Sequence, residues 1–185
     1  GALLGASCTV MTQGDPAFSA AVGLVAFFAA MSRCPVTAFL MGCVGGVANA
    51  KVVVLGAGVA GQNAANIALG MGAEVTMLDT DLDKLRMSFW RYDNRVRQIA
   101  SSSLTVREEV LRADLVIGTV LIPGAKAPKL VTEAMVAEMK PGSVLVDVAI
   151  DQGGCFEGSH PTTHADPTFR VHDSIFYCVA NMPGA

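Results

Sequence analysis

The stretch Lys51-Val-Val-Val-Leu-Gly-Ala-Gly-Val-Ala-Gly61 decides the fold of this chain. Its first five residues form a short, β-branched apolar run bounded by turn residues, which is the pattern of a buried strand. Residues 59–71 follow with Ala, Asn and Leu at helical spacing, and Gly70 and Gly72 mark the end of that helix. The sequence therefore predicts a strand, a glycine-rich turn and a helix in direct succession.

The glycines of this turn follow the spacing G-x-G-x-x-G. The first glycine permits the tight turn, the second lets a pyrophosphate approach the backbone, and the third lets helix and strand pack closely. A plain tight turn is the alternative, but the strand before the motif and the helix after it favour a dinucleotide site, with the phosphates at the helix N-terminus. The predicted binding residues are Gly56, Gly58, Val59, Ala60 and Gly61.

The rest of the chain alternates between strand and helix patterns. Strands are predicted at 74–78, 115–120, 143–148 and 175–179, with a weaker one near 98–101. Helices are predicted from Asp81 to about Arg97, from Thr105 with Glu108 completing a capping box, and over 132–139. Such alternation indicates βαβ units, so the expected fold class is α/β, a doubly wound parallel sheet of the Rossmann type with helices on both faces.

In such a sheet the ligand lies beyond the carboxyl ends of the strands, where the strand order reverses. Asp79 ends the second predicted strand, where a carboxylate hydrogen-bonds the hydroxyls of the adenine ribose. Its charge would repel a 2′-phosphate, which favours NAD over NADP, although Lys84 and Arg86 are near enough along the chain to soften that preference. The alternative is a turn or capping aspartate, a role for which Asp81 is better placed.

Two further loops leave the same predicted edge. Residues 121–129, Leu-Ile-Pro-Gly-Ala-Lys-Ala-Pro-Lys, form a stiff loop in which Lys126 and Lys129 either contact anions or, as is commoner, remain solvated. Asp151 follows the fifth strand within Asp-Gln-Gly-Gly. It suits either polar contact and proton handling or a simple turn, and the residues alone leave both alternatives open.

Composition bounds the remaining possibilities. The 185 residues suit one domain, and only 16% are charged against about 25% in an average domain, so some apolar surface is expected to face another domain or subunit. A net charge of −3 argues against nucleic acid or an anionic membrane as a partner. Five cysteines without a C-x-x-C pair indicate reduced thiols in the cytoplasm.

Two short features of the sequence are similar to a membrane helix and to a metal site, and we expect neither. The apolar run 17–31 is about 15 residues long, short of the ~20 that a membrane helix needs, and is predicted to be a buried helix. His160 and His164 are four residues apart, but Pro161 and the polar surroundings place them in a loop, so no metal site is expected.

Several runs beyond the glycine motif resemble one protein family. They are Val54–Gly61, Pro123–Leu130, Val146–Glu157 and Phe176–Pro183. From about Gly42 to Ala185 the sequence resembles the NAD domain of alanine dehydrogenases and, less closely, the NAD-binding subunit of proton-pumping transhydrogenases. The Pro-Gly-Ala-Lys-Ala-Pro-Lys loop and the Asp-Gln-Gly-Gly run make the resemblance specific, because a generic Rossmann fold does not need them.

The resemblance implies oxidative deamination of L-alanine to pyruvate and ammonia, with hydride passing to NAD. It implies that Asp151 is a catalytic carboxylate beside the nicotinamide, that Ser101 lies near the adenine and that Lys84 lies near its ribose. Around the nicotinamide and its ribose it places Val120, Leu121, Val148, Asn181 and Met182. It also implies a homohexamer with a small-molecule substrate and with no nucleic-acid or membrane partner.

The resemblance also divides the chain. Residues 1–41 match poorly and are expected to be a divergent apolar helical lead-in, whereas residues 42–185 are expected to form the NAD-binding domain. The family's substrate domain, with its catalytic histidine, is expected to be absent, so this chain alone would bind cofactor without turnover. Three functions follow as alternatives: the cofactor domain of an alanine dehydrogenase, a transhydrogenase subunit, and a non-catalytic NAD-binding module.

Overall fold

The computed structural model describes residues 48–120 and 127–180. Within these ranges, the residues from Lys51 onward belong to one compact unit. The lead-in predicted for residues 1–41, including its apolar run, lies outside the described residues. The division of the chain at residue 42 therefore stays a prediction.

The described strands form one sheet of seven. They are β1 (Lys51–Leu55), β2 (Glu74–Asp79), β3 (Val96–Ala100), β4 (Leu115–Gly118), β5 (Val144–Asp147), β6 (Thr168–Val171) and β7 (Ser174–Tyr177). Their spatial order is β3-β2-β1-β4-β5-β7-β6, and every neighbouring pair is parallel except β6 with β7. The strand order reverses between β1 and β4, as in a doubly wound sheet. The predicted fold class is confirmed.

Four helices connect these strands within the described ranges. They are α1 (Val59–Gly70), α2 (Leu82–Tyr92), α3 (Ser103–Arg112) and α4 (Glu133–Glu138), and a 3-10 turn covers Ile150–Gln152. The helix predicted over 132–139 corresponds to α4, with Thr132 as its N-cap. Each connection from β1 to β5 runs through one of these helices, as βαβ units require, whereas the chain passes from β5 to β7 through the 3-10 turn and β6.

Helix α3 covers one face of the sheet. Val53 and Leu55 of β1 belong to a buried cluster that includes Val110 of α3. Side chains alternate along a strand, so Val54 points to the opposite face, where it is fully buried. Burial on both faces is the reason that β1 appears in the sequence as an uninterrupted apolar run.

Helices α1 and α2 cover the opposite face. Met77 of β2 lies beside Val54 in the parallel register and shares its face. The Ser88 hydroxyl of α2 donates to the Met77 sulfur at 3.4 Å, and the Tyr92 hydroxyl donates to the carbonyl oxygen of Gln62 in α1. The sheet is therefore enclosed by helices on both faces, as predicted.

The helix predicted from Asp81 to Arg97 is wrong at its C-terminal end. Asp81 is the N-cap as predicted, since its carboxylate accepts from the N–H groups of Asp83 and Lys84. The helix ends at Tyr92 because Asp93 adopts a left-handed conformation with φ 51°. The chain then enters β3, whose half-exposed residues at the sheet edge lack the apolar run that identifies the central strands.

The predicted start of α3 is also wrong. Ser102, not Thr105, is the N-cap, and its hydroxyl accepts from the Thr105 N–H at 3.1 Å. The Thr105 hydroxyl in turn accepts from the Ser102 N–H at 2.8 Å. Thr105 therefore occupies the third helical position of the capping box, the place that was predicted for the carboxylate of Glu108.

Strand β6 was missed in the sequence. It pairs antiparallel with β7 through a tight turn in which His172 has φ 52°. Its alternate residues are exposed, and its four residues give too short a pattern to identify a strand. The strand predicted at 175–179 is β7, displaced toward the N-terminus by one residue at its start and by two at its end.

Two glycines of α1 give a matched test of packing. In Gly61→Ala the new Cβ would overlap the Gly56 carbonyl oxygen, whereas an added Cβ at Gly70 meets nothing within 4 Å. We expect Gly61→Ala to lower the free energy of unfolding by about 2 kcal/mol or more through overpacking. Gly70→Ala should leave it unchanged or raise it by up to about 1 kcal/mol, because alanine favours a helix. Urea denaturation of both variants measures this, and equal effects would contradict the close approach at Gly61.

Candidate functional site

The glycine-rich turn lies where β1 passes into α1, beside the end of β4. Gly56 has φ +106°, and its N–H donates to the Leu78 carbonyl oxygen at 2.8 Å. A Cβ on Gly56 would lie 3.0 Å from the Thr119 hydroxyl oxygen, and one on Gly61 would overlap the Gly56 carbonyl oxygen. The first and third glycines of the motif therefore permit the tight turn and the close approach of the helix, as predicted.

Gly58 has a different environment. It is the N-cap of α1 and offers no side chain to the helix, whose first turn contains no acidic residue. A Cβ added at Gly58 would meet nothing within 4 Å, so the space in front of the helix N-terminus is open. The Val59 side chain beside it is 81% exposed. This arrangement leaves the first-turn N–H groups without a side-chain cap, which suits an anion.

No role at the site was predicted for Thr119, which lies in the segment expected to be a strand. Its buried hydroxyl donates to the carbonyl oxygens of Leu55 at 2.9 Å and Gly56 at 3.2 Å. The Thr119 side chain thus ties the end of β4 to the glycine-rich turn. The only sequence signal was a hydroxyl residue at the end of an apolar run.

Asp79 is the last residue of β2, as predicted. One carboxylate oxygen accepts from the Ala57 N–H at 2.7 Å, and the other accepts from the Asp81 N–H at 2.8 Å. Each carboxylate oxygen has further acceptor capacity, so this anchoring is compatible with a bond to a ribose hydroxyl. Asp79 therefore supports the glycine-rich turn in addition to the recognition role that the sequence suggested.

The residues expected near the adenine lie at the same edge. The Ser101 N–H donates to the Asp79 carbonyl oxygen at 2.9 Å, which places Ser101 just after β3 and beside the end of β2. Lys84 lies in the first turn of α2, with its ammonium 3.6 Å from the Asp81 carboxylate. The fold thus brings these positions close to Asp79, while their contacts with a nucleotide stay predictions.

The residues expected near the nicotinamide follow β4 and β5. The Val148 N–H donates to the Gly118 carbonyl oxygen at 2.9 Å, and the Val120 carbonyl oxygen accepts from the Cys155 thiol at 3.8 Å. Asp151 lies on the exposed 3-10 turn that follows β5. The predicted positions Leu121, Asn181 and Met182 lie outside the described residues.

A second residue missed in the sequence is Asp147, the last residue of β5. Its side chain is buried, and one carboxylate oxygen accepts from the N–H groups of Cys155 at 2.8 Å and Phe156 at 3.3 Å. The other oxygen has no hydrogen-bond partner among the described residues. Burial raises the pKa of Asp147, against the opposing effects of the Ser159 hydroxyl, these N–H groups and the Lys129 charge.

Lys129 makes hydrogen bonds that were not predicted from the sequence. Its ammonium donates to the carbonyl oxygens of Gly153 at 2.6 Å and Phe156 at 2.9 Å. Lys129 is exposed, as the solvated alternative predicted, and it also bonds these two backbone carbonyls. A contact with an anion stays a prediction. Lys126, the other lysine of that loop, lies outside the described residues.

Residues 48–120 and 127–180 contain no helix long and apolar enough to cross a membrane. In the same ranges no three His, Cys, Asp or Glu residues are grouped so as to hold a metal ion. His160 instead stacks on the Phe169 ring, with the ring centroids 3.8 Å apart.

Comparison with known proteins decides the family. A family model described as "Alanine dehydrogenase/PNT, C-terminal domain" matches residues 22–185. The chain belongs to this family. Among curated members, the alanine dehydrogenase of Mycolicibacterium smegmatis is 65% identical over 146 residues, which cover 79% of this chain and 39% of that protein. The chain thus spans about two fifths of this relative.

Solved structures give the same family relationship. A structure of "L-alanine dehydrogenase" matches with a TM-score of 0.78 and 43% identity, covering 89% of this chain and 46% of that one. A transhydrogenase from Sinorhizobium meliloti matches with a TM-score of 0.65 and 36% identity, covering 73% of this chain and 38% of that one. The resemblance seen in the sequence, closer to alanine dehydrogenase than to transhydrogenase, is confirmed.

The buried carboxylate of Asp147 predicts a pH effect on stability. Because its folded pKa lies above the ordinary value of 3.8, the folded chain takes up this proton at a higher pH than the unfolded chain. The protonated carboxyl stabilises the fold at low pH. This contribution is lost as the pH rises from the ordinary pKa of the unfolded chain through the raised pKa of the folded chain, and it is regained as the pH falls. In Asp147→Asn this dependence is removed, while an amide oxygen remains to accept from the Cys155 N–H.

We therefore expect the unfolding free energy of the wild type, minus that of Asp147→Asn, to increase from about pH 7 to about pH 4. Urea denaturation at several pH values measures this difference. A difference that stays constant or decreases toward low pH would contradict a raised pKa at Asp147.

Proposed function

We propose that this chain is the NAD-binding domain of an alanine dehydrogenase, which converts L-alanine, water and NAD⁺ to pyruvate, ammonia, NADH and a proton. The observation that carries the proposal is the open N-terminus of α1 at Gly58, with Asp79 bonded to the adjoining turn. The family relationship supports the choice of reaction. The residues described at this edge fit a dinucleotide in their chemistry, with backbone donors for phosphate and a carboxylate for ribose.

The adenine half of the cofactor would occupy the ends of β1, β2 and β3. The pyrophosphate would lie against the first turn of α1, with Gly58 leaving room for its approach. Asp79 would accept from the adenine ribose hydroxyls and disfavour the 2′-phosphate of NADP. Ser101 and Lys84 would lie beside the adenine and its ribose.

The nicotinamide half would lie beyond β4 and β5. There NAD supplies a hydride acceptor. Asp151, on its exposed turn, would hold or accept a proton at the reacting centre. The residues proposed to surround the ring and its ribose are Val120, Leu121, Val148, Asn181 and Met182.

The substrate would be bound by a further domain, because the chain covers only 39% of the alanine dehydrogenase it matches. We propose a small 2-amino acid substrate, a homohexameric assembly and a cytoplasmic location. Exposed apolar residues on α2 support contact with further protein, since Trp90 is 81% exposed and Met87 60% exposed. The free thiols of Cys155 and Cys178 are consistent with a reducing compartment.

The NAD-binding subunit of a transhydrogenase is the second candidate function. The match to the Sinorhizobium meliloti structure, at 36% identity, favours it specifically. That function requires hydride transfer to a second nucleotide and gives no activity with alanine. Both candidates bind NADH, so a binding measurement tests the cofactor site and a measurement of alanine oxidation separates the two functions.

The first measurement is a calorimetric titration of the 185-residue chain with NADH and then NADPH. We expect NADH to bind at least about tenfold more tightly, equivalent to about 1.4 kcal/mol. Asp79→Asn should reduce this preference, because it removes the charge that repels a 2′-phosphate. Asparagine is preferred to alanine at this position because its amide oxygen can still accept from the Ala57 N–H.

Asp166→Asn is the matched control, because Asp166 is exposed and precedes β6, at the other end of the strand order from β2 and β3. Its nucleotide preference should stay close to that of the wild type. Equal loss of preference in both variants would assign selectivity to general charge, and absence of binding by a folded wild-type chain would contradict the proposed cofactor site.

A chimera tests the reaction. The 146 matching residues would replace their counterparts in the Mycolicibacterium smegmatis alanine dehydrogenase. We expect alanine-dependent NADH formation, and a fall in kcat of about a hundredfold or more for Asp151→Asn, the magnitude of lost proton transfer.

The exposed Asp166→Asn is the control for that substitution and should leave kcat unchanged. A folded chimera that binds NADH but does not oxidise alanine would favour the transhydrogenase or a non-catalytic module. Undiminished turnover in Asp151→Asn would contradict the role proposed for that carboxylate.

A further inference from the structure

Two short segments after β4 and β5 lie side by side and are joined by backbone hydrogen bonds. We call residues 127–131 and 152–157 the loop pair. The Ala127 N–H donates to the Gln152 carbonyl oxygen at 3.0 Å, and the Leu130 N–H donates to that of Cys155 at 2.8 Å. In the opposite direction, the Glu157 N–H donates to the Val131 carbonyl oxygen at 2.9 Å. The loop pair therefore has a defined register.

Lys129 adds a charged crosslink to the loop pair. Its ammonium donates to the carbonyl oxygens of Gly153 and Phe156, which lie three residues apart on the other segment. Gly153 and Gly154 both have positive φ, at 95° and 73°, so the chain turns sharply here. The ammonium supplies a charge-assisted donor to the carbonyl oxygen of Gly153 at this turn.

The same turn is anchored from inside the sheet. The buried Asp147 carboxylate accepts from the N–H groups of Cys155 and Phe156, which closes residues 148–154 into a loop. Gly118 of β4 leaves room for this closure, since a Cβ there would lie 2.9 Å from the Phe156 ring. Both Val148 and Asp151 lie within the closed loop.

We propose that Lys129 is a positioning residue for the nicotinamide half of the cofactor site, holding the turn that carries Val148 and Asp151 through the carbonyl oxygens of Gly153 and Phe156. This inference rests on the proposed function. Lys129 touches neither cofactor nor substrate in this role. Its effect is confined to the segments after β4 and β5, whereas the adenine half depends on the ends of β1, β2 and β3.

The test uses the difference between the two halves of the cofactor site, because Lys129 should affect only the nicotinamide half. NADH engages both halves of the site, whereas ADP carries the adenosine and the pyrophosphate without the nicotinamide nucleoside. We expect Lys129→Met to weaken NADH binding by about tenfold, in keeping with loss of charge-assisted bonds. Binding of ADP should change by less than about twofold.

Two further variants complete the experiment. Lys129→Arg retains a cation with several donors and should recover most of the NADH affinity. Lys140→Met is the matched control, because the Lys140 ammonium donates to the Asp114 carboxylate at 2.8 Å. Asp114 directly precedes β4, at the amino ends of the parallel strands and away from the loop pair. Its ratio of NADH to ADP affinity should equal that of the wild type.

Amide hydrogen exchange gives a second readout that needs no ligand. In Lys129→Met, exchange should accelerate at the amides of the loop pair and remain unchanged in α1 and β2. Unchanged NADH affinity, or equal weakening of NADH and ADP, would overturn the positioning role while leaving the cofactor site intact. A folded wild-type chain that binds neither nucleotide would overturn the proposed function and this inference together.

Discussion

The close approach of α1 to the end of β1 is the constraint on which the rest of the structure depends. No side chain fits at Gly61, because a Cβ there would overlap the Gly56 carbonyl oxygen. This contact fixes the direction of α1, so that its N-terminus faces the crevice beyond the sheet. The neighbouring strands then secure the turn, β4 through the Thr119 hydroxyl and β2 through the Asp79 carboxylate.

Asp79, for which we propose a role in cofactor selectivity, also supports the fold. A carboxylate used only for recognition would be free to change without affecting the fold. Here the same group accepts from Ala57 in the turn and from Asp81 at the start of the next helix. A change of cofactor preference at this position therefore also alters an acceptor that supports the glycine-rich turn, unless the new residue keeps an oxygen in place.

The sequence predicted the central strands well and the edges poorly, for a physical reason. Strands such as β1, covered on both faces, appear as continuous apolar runs, whereas β3 and β6 at the edges are partly exposed. The residues of the candidate site also differ in how well they can be predicted from the sequence. The glycine spacing and Asp79 follow from a local motif, but the partners of Lys129 are backbone carbonyls 24 and 27 residues away. Buried polar residues such as Asp147 and Thr119 likewise follow no periodicity.

The two edges of the described sheet bear on how copies of the chain can associate. Strand β3 ends one side and β6 the other, with five and four residues. Each carries an arginine, Arg97 or Arg170, and short charged edge strands discourage the addition of a foreign strand. For an assembly of such domains, these edges favour side-chain packing between helix surfaces, which have specific shapes, over open-ended growth of the sheet from one molecule into the next.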